Sequence, residues 1–189
     1  MTTQISAGII IFRRAELGVK FLLLYHSNNY WNFPKGKIEE NERSLETAFR
    51  EVEEETGLKS KDLKLIRNFK ASERFTFKDR VSQDKVFKIV TFYLAETRKK
   101  DVKIDGRDEG YGWFKLSEAK AVLGKHKNTF EILKKAARMI SYYHRRPYPA
   151  HPYQNNHPRP FIKKPYSSHL RPEQKSPTPS PAILPDKKI

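Results

Sequence analysis

The chain has 189 residues and carries 38 Lys/Arg against 22 Asp/Glu, a formal net charge of +16. That length suits one domain with a real core plus an appendage, and the basic balance favours anionic partners such as nucleotides, RNA or polyphosphate. The absence of cysteine excludes a disulfide framework and any thiolate metal site. No apolar run approaches the roughly 18–20 residues of a membrane span, and the N-terminus has no charged region ahead of its apolar stretch. The expectation is a soluble, cytoplasmic protein with no membrane partner.

In chain order, the apolar stretches 4–12 and 19–26 flank a turn, which predicts a hairpin. Residues 27–42 are polar and broken by Pro34 and Gly36, a loop signature. Residues 43–57 then place Leu45, Ala48, Phe49 and Val52 at helical spacing, with Gly57 as a C-terminal stop. Segments 62–77 and 85–97 are rich in β-branched and aromatic residues and read as strands, and 110–116 as a shorter one. Ser117 is placed to cap a short helix through Leu123, and 128–143 is strongly amphipathic at helical period. Eleven of the twelve prolines lie between Pro147 and Pro185, so 146–189 is expected to be a basic, Pro-rich, disordered tail. Residues 3–145 form the expected domain.

The predicted helix holds an anomaly. Glu51, Glu54 and Glu55 fall at i, i+3 and i+4 and share a face, in a chain that is otherwise basic. Like charges at that spacing repel by a few tenths of a kcal/mol per pair unless a cation neutralises them. The alternative is an ordinary solvated acidic face.

The flanking residues bear on that choice. Gly36, Glu42, Arg50, Glu51, Val52, Glu54, Glu55, Gly57 and Leu58 match every specified position of the pattern Gly-x5-Glu-x7-Arg-Glu-U-x-Glu-Glu-x-Gly-U, where U is apolar. On these residues the chain resembles the Nudix hydrolases. The resemblance implies an α+β fold, a mixed β-sheet sandwiched between helices. It implies hydrolysis of a nucleoside diphosphate linked to another group, with Mg2+ as cofactor, for which Mn2+ can substitute. Glu51, Glu54 and Glu55 would be metal ligands with the carbonyl of Gly36, and a hard divalent ion does prefer such oxygen donors. Arg50 and Glu42 would form an orienting ion pair, with Arg50 and Glu54 in the catalytic set, while Glu53 faces solvent.

Outside that pattern, the stretches 7–14, 31–42, 88–96 and 110–114 are similar to those of asymmetrical diadenosine tetraphosphate hydrolases within the family. That likeness would put Lys35 and Lys88 on the polyphosphate and Tyr93, or a ring near it, against a base. Trp31 is expected to pack beside the loop, and His26 to lie near the substrate mouth without a metal role. Members of this group often carry a glutamate six residues before the tryptophan of the late strand, and here that position is Arg107. Glu109 is the favoured replacement, with Asp108 and Glu73 as alternatives.

The leading expectation is asymmetric cleavage of diadenosine tetraphosphate to ATP and AMP. An RNA 5′-pyrophosphohydrolase or free-nucleotide pyrophosphatase is the alternative, the basic tail then serving RNA. A non-catalytic nucleotide- or RNA-binding module is the third reading.

Overall fold

The computed structural model describes residues 2–145 apart from 28, 80, 107 and 125, with only the backbone at 144 and 145. The expected tail, 146–189, lies outside the described residues. Eight strands form one mixed sheet: β1 (Thr2–Ala15), β2 (Gly18–His26), β3 (Tyr30–Asn32), β4 (Lys35–Lys37), β5 (Leu63–Leu65), β6 (Ala71–Lys78), β7 (Lys85–Thr97) and β8 (Asp108–Phe114). Among the described residues three α-helices complete the fold, α1 (Ser44–Thr56), α2 (Leu116–Leu123) and α3 (Lys127–Arg145), with one 3-10 turn at Ser60–Asp62. Along the main path the order is β3-β2-β1-β7-β5, with β4 on β1, β6 on β7 and β8 on β2.

β1 is the spine. It runs antiparallel to β2 and parallel to β7, the parallel register extending from Thr2↔Val86 to Phe12↔Glu96. Both of its faces are covered, and so its run Ser6–Phe12 is buried throughout rather than alternating. Ile10 and Phe12 join Val90, Phe92 and Leu94 of β7 in a core closed by Leu133, Ala136 and Ile140 of α3. Ala7, Ile9 and Ile11 face the other way, onto Ala48 and Val52 of α1. Strand parity therefore sorts each residue to the α1 side or to the α2/α3 side.

α1 begins where Glu46 accepts the backbone N–H of Arg43 at 3.1 Å. It ends at Gly57, whose φ of 66° is the left-handed conformation of a C-terminal cap. There the Gly57 N–H reaches the Glu53 carbonyl at 2.9 Å, and Lys103 donates to the Thr56 carbonyl at 3.0 Å.

Three boundaries depart from expectation. The segment 62–77 is not one strand: Asn68, at φ 65°, turns the chain between β5 and β6, and both pair with β7. The polar stretch 27–42 contains two short strands, β3 and β4, added to the edges of longer ones. α2 starts at Leu116, because Glu118 accepts the Lys115 N–H at 2.7 Å and makes Lys115, not Ser117, the cap. No helix among the described residues is long and apolar enough to cross a membrane.

Candidate active site

β4 brings the loop against α1. Its Gly36 pairs with Ala7 on the α1 side, and a Cβ there would sit 1.9–2.2 Å from the Glu51 carboxylate atoms. Any larger residue would drive Glu51 out of place, so the glycine permits contact between backbone and carboxylate. The next residue back, Lys35, donates its backbone N–H to Glu55 Oε2 at 2.9 Å. Glu51 and Glu55 are buried, whereas Glu53 and Glu54 are exposed.

One cation holds this acidic face together. Arg50 donates from Nε and Nη2 to the two oxygens of Glu42, from Nη1 to Glu51 at 2.8 Å and Glu54 at 3.2 Å, and from Nη2 to the Lys37 carbonyl at 3.1 Å. All five of its N–H groups are thereby used. These bonds raise the guanidinium pKa above its usual range, with Glu42 the main cause, and the same bonds lower Glu42 to about 2. Thr47 adds a hydroxyl donor to Glu42 at 2.8 Å. Among the described residues no three acidic or imidazole groups form a closed metal cage, and Arg50 Nη1 stands between Glu51 and Glu54.

Glu55 differs from its neighbours. Burial pushes its carboxyl up to about 7, and the nearby Asp108 and Glu51 charges add to the rise against the opposing Lys35. Asp108 arrives from the first residue of β8 and is buried, with Oδ1 2.6 Å from His26 Nδ1. Burial, then the Lys35 cation, hold His26 down at about 4 despite that carboxylate. The imidazole is therefore neutral near pH 7 and donates its Nδ1–H to Asp108.

On the α2/α3 side, Lys35 pairs with Gly8, and Glu73 lies opposite Val90 on β6. Thr129 of α3 donates to buried Glu73 at 3.0 Å. Burial raises the Glu73 pKa while Thr129, Lys35, His126 and Lys88 oppose it. Burial also lowers the pKa of Lys88, with Lys35 adding repulsion and Glu73 and Glu51 opposing. Lys35 and Lys88 thus lie on the same face of the sheet, near enough for their charges to oppose one another.

The structure gathers Lys35, Gly36, Arg50, Glu51, Glu54, Glu55 and Lys88 at one end of the sheet. Two expected residues stand apart. Tyr93 is five positions from Lys88 on the same strand, so the two point to opposite faces. It packs half-buried against the core formed by Ala48 and Val52. Glu109 is turned to solvent by an irregularity in the β2–β8 register between Tyr25 and His26, which gives Asp108 the inward place. Trp31 packs edge-on against Phe114, with ring centroids 5.0 Å apart. The His26–Asp108 and Thr129–Glu73 contacts were not anticipated, since each depends on a register or helix placement that local sequence does not reveal.

The NUDIX domain family model matches residues 2–136. The chain belongs to the Nudix family. It is accordingly a pyrophosphohydrolase of the nucleoside-polyphosphate class, in a family that generally uses divalent metal ions. The asymmetrical bis(5′-nucleosyl)-tetraphosphatase of Sus scrofa is 35% identical over 124 residues, 60% of this chain and 80% of that protein. An RNA pyrophosphohydrolase of Bartonella tribocorum is 36% identical over 67 residues, 32% of this chain and 38% of that protein. Among solved structures, a binary complex of the C. elegans Ap4A hydrolase superposes with a TM-score of 0.67 at 22% identity, over 74% of this chain and 98% of that one. At that identity the likeness speaks for the Nudix fold.

Proposed function

We propose that this protein cleaves diadenosine tetraphosphate asymmetrically to ATP and AMP in the presence of Mg2+. The observation that carries the proposal is the joining of two charge sets at one end of the sheet. The Glu51, Glu54 and Glu55 carboxylates stand beside Lys35, whose ammonium interacts with Glu55, Glu73 and Lys88. A single phosphate needs no second half-buried lysine, while a polyphosphate chain presents several charges to both. The 35% identity to an asymmetrical tetraphosphatase supports the same substrate.

The donor chemistry fits a divalent cation. All its groups are oxygens, as Mg2+ prefers, and their mutual repulsion is countered by Arg50 and Lys35, with Lys88 acting on Glu51 as well. Glu51, Glu54, Glu55 and the Gly36 carbonyl would hold the ion. When bound, Mg2+ neutralises phosphate oxygens and makes a coordinated water more acidic.

The chain's own residues do the rest. Arg50, anchored on Glu42, keeps Glu51 and Glu54 in register with the loop. Lys35 and Lys88 bind and orient the polyphosphate, their attraction for phosphate less screened at a partly buried site than in open solvent. Asp108 replaces Glu109 as the general base that takes the proton of the attacking water, with His26 fixing its Oδ1. Tyr93 acts as a packing residue.

The match to an RNA pyrophosphohydrolase supports a second reading, removal of pyrophosphate from 5′-triphosphorylated RNA. Comparing kcat/KM for the two substrates, with products resolved by chromatography, separates them. ATP plus AMP from a strongly preferred dinucleotide supports the proposal. Preferential pyrophosphate release from RNA overturns it.

A further inference from the structure

A second cationic site lies at the far end of the sheet. β1 runs from Gly8, paired with Lys35, to Ala15 at the hairpin, roughly 23 Å at the rise of an extended strand. There a cleft of about 500 Å3, open to solvent, is lined by Arg13, Arg14, Glu16, Lys20 and Lys100. None of the proposed catalytic or substrate-binding residues belongs to it.

Its construction carries an uncompensated cost. The β1–β2 register sets Arg13 directly opposite Lys20, and like charges facing each other across strands are destabilising. Arg14 is neutralised by Glu96 at 3.0 Å, but Arg13, Lys20 and Lys100 have no ion pair with any described residue. The Arg13 Nε–H is also buried without an acceptor among the described residues.

The cations are held in place. The Arg13 guanidinium carbon lies 5.4 Å from the centre of the Trp113 ring, close enough for a cation–π contact. Trp113 Nε1 donates to the Lys100 carbonyl at 2.8 Å, which ties the segment after β7 to the same ring. Trp113 thus serves as a platform that fixes one cation and the backbone of another.

We infer that this cleft is a second phosphate-binding site that takes the backbone of a single-stranded RNA, remote from the catalytic carboxylates. The cations come from β1, β2 and the segment following β7, and they line an open cleft rather than closing around one anion. Such an arrangement suits successive phosphates of a strand, and it reads no base sequence. The inference is independent of which polyphosphate the catalytic end cleaves.

The test uses the full chain and a short fluorescent single-stranded RNA with a 5′-monophosphate, which offers no anhydride to cleave. Binding is followed by anisotropy across a salt series. The variant Lys20→Glu/Lys100→Glu spares the Arg13–Trp113 contact, and its thermal midpoint checks that it folds. Its affinity should fall by about tenfold or more, and its log–log salt slope should shrink by about 1.4, two phosphates at 0.7 each for single strands. Unchanged affinity and slope would overturn the inference. So would inorganic tripolyphosphate displacing the RNA as well as unlabelled RNA does at equal phosphate concentration, since the site would then take a small anion.

Discussion

Arg50 grips Glu42 with two parallel hydrogen bonds, Nε to Oε1 at 2.7 Å and Nη2 to Oε2 at 3.0 Å. This fork joins the loop before α1 to the helix itself, and it leaves Nη1 for Glu51 and Glu54. Glu51 and Glu54, which would help to hold the proposed cation, are thus positioned by an arginine that the fork anchors. A lysine has the charge but not the planar fork, so Arg50→Lys is not conservative here. Its kcat/KM should drop by about 10–100-fold, the usual loss for a partner that orients metal ligands. Steady-state kinetics across a Mg2+ titration would measure it, with the Mg2+ requirement shifted to higher concentration.

The same pair sets an acid limit on stability. Glu42 titrates at about 2 in the folded protein against an ordinary value of 4.5, mainly through its bonds to Arg50. A depressed folded-state pKa means that the unfolded chain binds more protons between those values, so stability rises with pH there. The contribution is complete above about 4.5 and disappears as pH falls toward about 2. Wild type should therefore exceed Glu42→Gln in stability near pH 7 and lose that margin across this acid window. Urea denaturation of both proteins at a series of pH values checks the sign.

Asp108 and Glu109 are adjacent, yet only Asp108 is buried beside His26 and Glu55. Removing a general base typically costs about 10²–10⁴-fold. Asp108→Asn should lose kcat on that scale while Glu109→Gln stays near wild type. Parallel kcat measurements on the two variants decide between the neighbouring carboxylates, and a Glu109→Gln protein that is the more impaired would return the role to Glu109.

Lys88 and Tyr93 separate in the same way, by strand parity. Lys88→Met should raise KM for the polyphosphate with little change in thermal midpoint. Tyr93→Ala should instead lose stability on the order of 2 kcal/mol by opening the packing against α1, with KM nearly unchanged. Thermal denaturation and Michaelis curves for both variants test the division.

Much of this site was legible because its chemistry lies in a short, fixed-spacing segment. Gly36, Arg50 and the three glutamates are local in sequence; α1 with its Gly57 cap presents Arg50 and the glutamates, and β4 lays Gly36 against them. Helical periodicity likewise placed Ala48 and Val52 against the sheet. What escaped was set by long-range register. Whether Asp108 or Glu109 turns inward depends on the irregular β2–β8 pairing, which no local pattern encodes. The pairing of Glu73 with Thr129 joins residues 56 positions apart. For Tyr93, the apolar alternation of β7 was visible, but its packing against Ala48 and Val52 of α1 was not. The break between β5 and β6 was hidden because its turn residue, Asn68, sits in a stretch that otherwise suits a strand.

The most direct test of the central claim is Mg2+-dependent turnover of diadenosine tetraphosphate by wild type and by Glu54→Gln, with nucleotide products resolved by chromatography. Glu54 is exposed and its substitution leaves the buried packing intact. The account predicts ATP and AMP from wild type only when Mg2+ is present, and loss of nearly all turnover in a Glu54→Gln protein of unchanged fold. Substantial turnover by that variant would contradict the assignment of the acidic face of α1 as the metal-binding catalytic centre.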